Sequence, residues 1–98
     1  MTAPYQFREF TLRAEMVEAL DRYVRHGVPV GDFLYAAICN DFMELCGRAD
    51  DDLQRNLPAL AAFLYNEVPM ALRGAEKYAA WVKGCAERRA RAMRETPL

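Results

Sequence analysis

Between residues 27 and 74 glycine and proline recur at intervals that leave no room for a long uninterrupted element. Gly27, Pro29 and Gly31 form one break, and Gly47, Pro58, Pro69 and Gly74 mark the others. Glycine tolerates the left-handed conformation that ends a helix, whereas proline lacks the N–H that a helix interior needs. Between the breaks apolar residues return every three or four positions, the period of a helix with one buried face. No window alternates long enough to read as a strand. The pattern therefore predicts an all-α fold, a compact bundle of four to five short antiparallel helices in a single domain over residues 1–98. A composition of 53% hydrophobic and 28% charged residues over 98 positions fits one globular domain and excludes a disordered or collagen-like chain.

The first helix is expected from Leu12 to His26, with Thr11 as N-cap, Gly27 as terminator and residues 1–10 as an irregular lead-in. A second helix is expected to run unbroken from Asp32 to Gly47, its apolar stripe made of Phe33, Leu34, Ala37, Ile38, Phe42 and Leu45. Asp50-Asp51-Asp52 suits the first turn of a third, which Pro58 breaks near Asn56 so that a separate piece spans Leu57 to Glu67. Val68-Pro69 ends that piece. Gly74 to Glu95 forms the last helix, with Tyr78, Trp81, Val82, Cys85 and Met93 roughly on one side and Gly84 marking a close helix crossing.

Cys39, Cys46 and Cys85 are an odd number without a Cys-x-x-Cys spacing, and three free thiols are expected. Met1 to Phe10 lacks the pattern of a signal peptide, and the longest apolar run, Ala59 to Tyr65, is too short to span a bilayer. A cytoplasmic protein without membrane association is the expectation.

Chemistry-bearing patterns are sparse. His26 is the only histidine and falls at a helix end, where the dipole favours it. No nucleophile elbow, zinc-protease helix or phosphate-cradling glycine loop occurs, so no catalytic residue, cofactor or metal site is assigned. Asp41 lies between Ile38 and Leu45 on the apolar stripe, which predicts a buried carboxylate, with Asn40 beside it, held by an arginine or by free N–H groups.

The formal net charge of −1 conceals an asymmetry: residues 1–47 sum to −3 and residues 48–98 to +2. The end of the chain, 83–98, holds Lys83, Arg88, Arg89, Arg91 and Arg94 against Glu87 and Glu95. A near-neutral total disfavours a nucleic-acid partner except through this Arg-rich last helix.

His26-Gly27-Val28-Pro29-Val30-Gly31-Asp32-Phe33-Leu34, followed by Asn40-Asp41, Ala49-Asp50, Leu57-Pro58, Tyr65-Asn66-Glu67-Val68-Pro69 and Trp81, resembles a group of small proteins encoded by phages and prophages. The resemblance covers about residues 20 to 82 and departs after Pro69, where the group has a tryptophan beside a glycine and this chain has Leu72-Arg73-Gly74. It brings no activity with it. It implies an origin in a mobile element and a small accessory protein that binds a host component. The expected function is thus a non-enzymatic phage or prophage protein that binds a host protein or complex, a defence system being one such target, with Trp81, Arg88, Arg89 and Arg91 as the contact surface. The alternative is a small-ligand binder that holds a nucleotide or signal molecule at the Gly31-Asp32 helix start. A homodimer is compatible with so small a core, because a chain of this length buries only about two-thirds of its unfolded surface.

Overall fold

Tyr5, Phe7, Phe10 and Leu12 alternate with polar residues on either side of Arg8-Glu9, and the lead-in is a hairpin rather than irregular chain. The computed structural model describes residues 2–95; Met1 and residues 96–98, the far end of the Arg-rich tail, lie outside them. Strands β1 (Tyr5–Phe7) and β2 (Phe10–Leu12) pair antiparallel with Tyr5 opposite Leu12 and Phe7 opposite Phe10. Arg8 takes φ 55° to make the turn, a conformation that hairpin turns normally give to glycine or asparagine. The fold is therefore mostly helical and not purely α.

Because Leu12 is a buried strand residue, the first helix starts two positions later than the periodicity implies. Among the described residues six helices follow the hairpin: α1 (Ala14–His26), α2 (Asp32–Ile38), α3 (Phe42–Arg48), α4 (Asp51–Arg55), α5 (Leu57–Glu67) and α6 (Ala75–Glu95), with a 3-10 turn at Met70–Leu72. Arg13, not Thr11, occupies the N-cap of α1. The Thr11 N–H instead donates to Asn56 Oδ1 at 2.8 Å, and Asn56 Nδ2 donates to the Asp52 carbonyl at 2.8 Å. Asn56 thus fastens the hairpin to the α4–α5 joint. Pro58 sits in the first turn of α5, where its missing N–H costs no helical hydrogen bond. The Tyr5 ring meets Phe63 of α5 edge-on at 5.0 Å, which completes the seam between hairpin and helix.

The helix expected to run to Gly47 is two helices. Asn40 adopts φ 58°, and the Asn40 and Asp41 N–H groups bond back to the carbonyls of Ala37 and Ala36. This is a Schellman termination with asparagine in the left-handed position. Asp41 then caps α3, its Oδ1 accepting from the Glu44 N–H at 3.3 Å. Asp50 does the same for α4, accepting from Leu53 N–H at 2.8 Å, while Arg13 reaches it at 3.0 Å. That backbone bond, with the guanidinium adding to it, holds the Asp50 carboxyl below its ordinary range.

The core gathers Leu12, Leu20, Tyr23, Leu34, Ile38, Leu53, Leu60 and Phe63, with α6 laid across α1. The close approach lies at Gly27 and not at Gly84. Gly27 ends α1 at φ 64°, and a Cβ placed on it would lie 2.6 Å from both Cβ and Sγ of Cys85. A Cβ on Gly84 would meet only Arg88 Nη1, at 3.7 Å. All three cysteines are free. No helix of the described residues is long and apolar enough to cross a membrane.

Gly27→Ala should destabilise the protein by roughly 2–4 kcal/mol, from left-handed strain plus overpacking against Cys85. Gly84→Ala should stabilise it by roughly 0.5–1 kcal/mol through helix propensity alone. Urea unfolding of the two variants checks both signs.

Tyr23 yields a prediction in alkali. Burial, with Tyr78, Cys39 and Cys85 adding to it, raises its phenol from 10.0 to about 12. Between those values the unfolded chain has lost the proton and the folded chain keeps it, so stability should fall as pH climbs from about 10 to about 12. Tyr23→Phe should flatten that part of the stability–pH curve; an unchanged slope would remove Tyr23 as its source.

Candidate functional site

The residues singled out on the last helix prove to be committed largely to the fold. Trp81 is half-buried against the core, and its Nε1 donates to the Tyr23 carbonyl at 2.7 Å. Arg88 lies over the Trp81 ring at 5.3 Å, with Nη2 3.0 Å from Cys85 Sγ. Arg89 Nη1 donates to the His26 carbonyl at 2.6 Å, satisfying one of the free acceptors at the end of α1. Arg91 is exposed, as is every residue from Ala86 to Glu95. Met93, expected on the packed side, is 80% exposed because α6 runs past the body of the protein beyond Cys85.

Asn40 and Asp41 are both exposed, which corrects the expectation of a buried polar pair. The reason is the Schellman break: it rotates the chain between Ile38 and Phe42, so the stripe that would have buried Asp41 does not continue. No polar or charged residue is buried among those described. At the start of α2, Gly31 makes no side-chain cap and the Asp32 carboxylate pairs with Arg48 at 3.1 Å, so an acid already occupies that helix end. Among the described residues no three of His, Cys, Asp and Glu converge as a metal-binding set.

The surface feature with the most physical content lies between α2–α3 and α5. Two adjoining hollows share Ala37, Asn40, Ala61 and Leu64 as a common floor. The smaller, of about 190 Å³, is walled by Phe42, Leu45, Leu57 and Leu60. The larger, of about 470 Å³, extends past Tyr65 and Met70 to Arg73 and Lys77. Together they make one groove, apolar along most of its length and basic at one end. Phe42, Tyr65 and Met70 on its rim are 66%, 77% and 71% exposed. Side chains of that size are ordinarily withdrawn from water, and several beside one groove make it the candidate interaction surface.

The backbone explains how the groove arises. The left-handed Asn40 turns α3 away from α2, which leaves Phe42 standing at the opening instead of inside the core. Gly74, at φ 107°, donates its N–H to the Ile38 carbonyl at 2.9 Å and so anchors the Arg73 end to α2. Arg73 lies near the Tyr65 ring at 5.9 Å, its Nε enclosed without a hydrogen-bond acceptor. Lys77 Nζ donates to the Met70 carbonyl at 3.3 Å. No ion pair among the described residues involves either cation.

Sequence reasoning missed Phe42, Tyr65, Met70 and Arg73, yet a signal was present. Leu57, Leu60, Phe63, Leu64 and Tyr65 with three alanines and Pro58 make α5 apolar almost all round. A helix of that kind needs burial on every side, and a chain of this size has too few elements to supply it.

Neither a family model, nor a curated protein, nor a solved structure matches the chain. The groove's meaning therefore rests on its own chemistry. Asp41→Ala should lower stability by about 1 kcal/mol, the loss of a helix cap, and not by the roughly 3–5 kcal/mol that follows removal of one member of a buried ion pair. Chemical denaturation separates the two values.

Proposed function

We propose that this chain is a non-catalytic accessory protein, of the phage or prophage kind that its sequence pattern resembles, which works by binding a host protein or complex. A defence system is one such target. The observation that carries the reading is the apolar groove with Phe42, Tyr65 and Met70 exposed beside it. Those side chains contribute little to folding while they stay in water, and a partner that covers them gains roughly 25 cal/mol for each Å² removed from water. The last helix supports the reading less well, because Trp81, Arg88 and Arg89 already have bonds within the fold. Arg91 and the exposed end of α6 form a second, more polar surface.

A tagged protein and two variants, used as bait in a bacterial lysate, test the proposal. Ala61→Gln puts a polar side chain over the groove floor from an exposed helical position. Arg88, Arg89 and Arg91 changed together to glutamate alter the last helix. A protein retained by the parent and by the triple variant, but lost with Ala61→Gln, is the expected result. Loss with the triple variant alone moves binding to α6, and no retention above an unrelated bait overturns the binding role.

A further inference from the structure

We infer that the groove between α2–α3 and α5 receives an amphipathic helix of the partner that presents an apolar stripe to the floor and a carboxylate to Arg73 and Lys77. This rests on the protein-binding role proposed above and specifies the chemistry of the bound segment. Three observations lead to it.

Most of the walls and floor come from helices, whose backbone N–H and C=O groups are mostly spent internally, and at the turns the Asn40 and Gly74 N–H groups already bond to the Ala37 and Ile38 carbonyls. An extended strand laid there would find no sheet edge to pair with, and its own backbone groups would lose water without compensation. The two-stranded hairpin of this protein packs on a different part of α5, through Tyr5 and Phe63. A helix brings its backbone bonds with it and offers side chains at i, i+3, i+4 and i+7 to a groove. The two hollows sit in line along α5 and share Ala61 and Leu64, an arrangement that accepts successive apolar side chains from one helical stripe.

Charge gives the partner its polarity. Arg73 and Lys77 stand at one end without an ion pair among the described residues, and Glu76 is the one acid among the residues lining the two hollows that hold them. The opposite hollow, around Phe42, Leu45 and Leu57, is lined by no charged side chain. A segment with its acid at one end and apolar residues along the rest matches this gradient, and Arg73 supplies donors in the planar fork that suits a carboxylate. The same gradient disfavours a second copy inserting its own projecting helix. The exposed end of α6 carries Arg88, Arg89, Arg91 and Arg94 against Glu87 and Glu95, a net positive segment that would meet Arg73 and Lys77 with like sign.

Selection from a random library of displayed peptides about sixteen residues long, roughly four helical turns, tests the inference on the full chain. Ala61→Gln serves as the counter-target, and circular dichroism melts establish that each variant is folded. The expected result is enrichment of sequences with apolar residues at helical spacing and Asp or Glu toward one end. A synthetic peptide from that set should gain helicity on binding, and lose affinity by about tenfold or more with Arg73→Glu and with Ala61→Gln, more so at low salt for the charge variant. No enrichment over the counter-target, enriched peptides that are basic or bind extended, or equal affinity for Arg73→Glu each overturn it. Sedimentation that shows a dimer dissolved by Ala61→Gln also overturns it, in favour of a second copy as occupant. If a lysate protein is captured while the selection fails, the partner's chemistry is wrong and the binding role stands; if both fail, both fall.

Discussion

Tyr23 holds more of this molecule together than any other side chain. It is fully buried, its hydroxyl donates to the Leu72 carbonyl at 2.6 Å, and its own carbonyl accepts the Trp81 indole N–H at 2.7 Å. Its ring stacks on Tyr78 at 5.0 Å, and Tyr78 in turn accepts the Val30 N–H and meets the edge of Tyr35. One residue of α1 therefore fixes the 3-10 turn, α6 and, through Tyr78, the start of α2. A buried phenol is stable only with its hydroxyl bonded, and the Leu72 carbonyl meets that need while setting the position of the segment that leads to Arg73. The groove's basic end is placed by the core.

The same region shows how a small protein trades side-chain volume for contact. Gly27 ends α1 in a left-handed turn and, having no Cβ, lets Cys85 and the Trp81 backbone come close. Arg89 then crosses to the His26 carbonyl. The Trp81 and Cys85 contacts lie within the first half of α6, Arg89 adds its bond from the second, and beyond Cys85 the helix has no buried residue. Local bonds such as Arg88 over Trp81 and the aligned backbone of a 21-residue helix must sustain that extension.

Much of the helical punctuation was legible. Gly27, Pro58 and Val68-Pro69 mark helix ends because glycine and proline act through backbone geometry that depends little on tertiary context. The hairpin was not legible, since two three-residue strands are too short for alternation to stand out and Arg8-Glu9 is not one of the residue pairs that favour such a turn. The break at Asn40-Asp41 was legible in principle: asparagine tolerates the left-handed conformation and aspartate is a good N-cap, so the pair reads as stop then start. The helical period nevertheless continues across the pair and masks it. The groove depends on that break, because a continuous helix would carry Phe42 into the core.

Charge follows the same logic of what the fold consumes and what it leaves. Arg13 spans to Asp50 and Asp52, Arg48 bridges Asp32 and Glu44, and α1 pairs Glu18 with Arg22 and Asp21 with Arg25. The acidic excess of the first 47 residues is thus partly met by arginines of its own helix and of the second half. Each of these pairs is exposed and worth little in stability, but together they assign most of the front-half acids to partners within the chain. Arg73 and Lys77 are outside that accounting, and so is the end of α6. At the groove the cations that the fold pairs with no acid, Arg73 and Lys77, stand beside the exposed Tyr65 and Met70. Under the proposed binding role, apolar area supplies the attraction there and the uncompensated cations set which sequence can supply it.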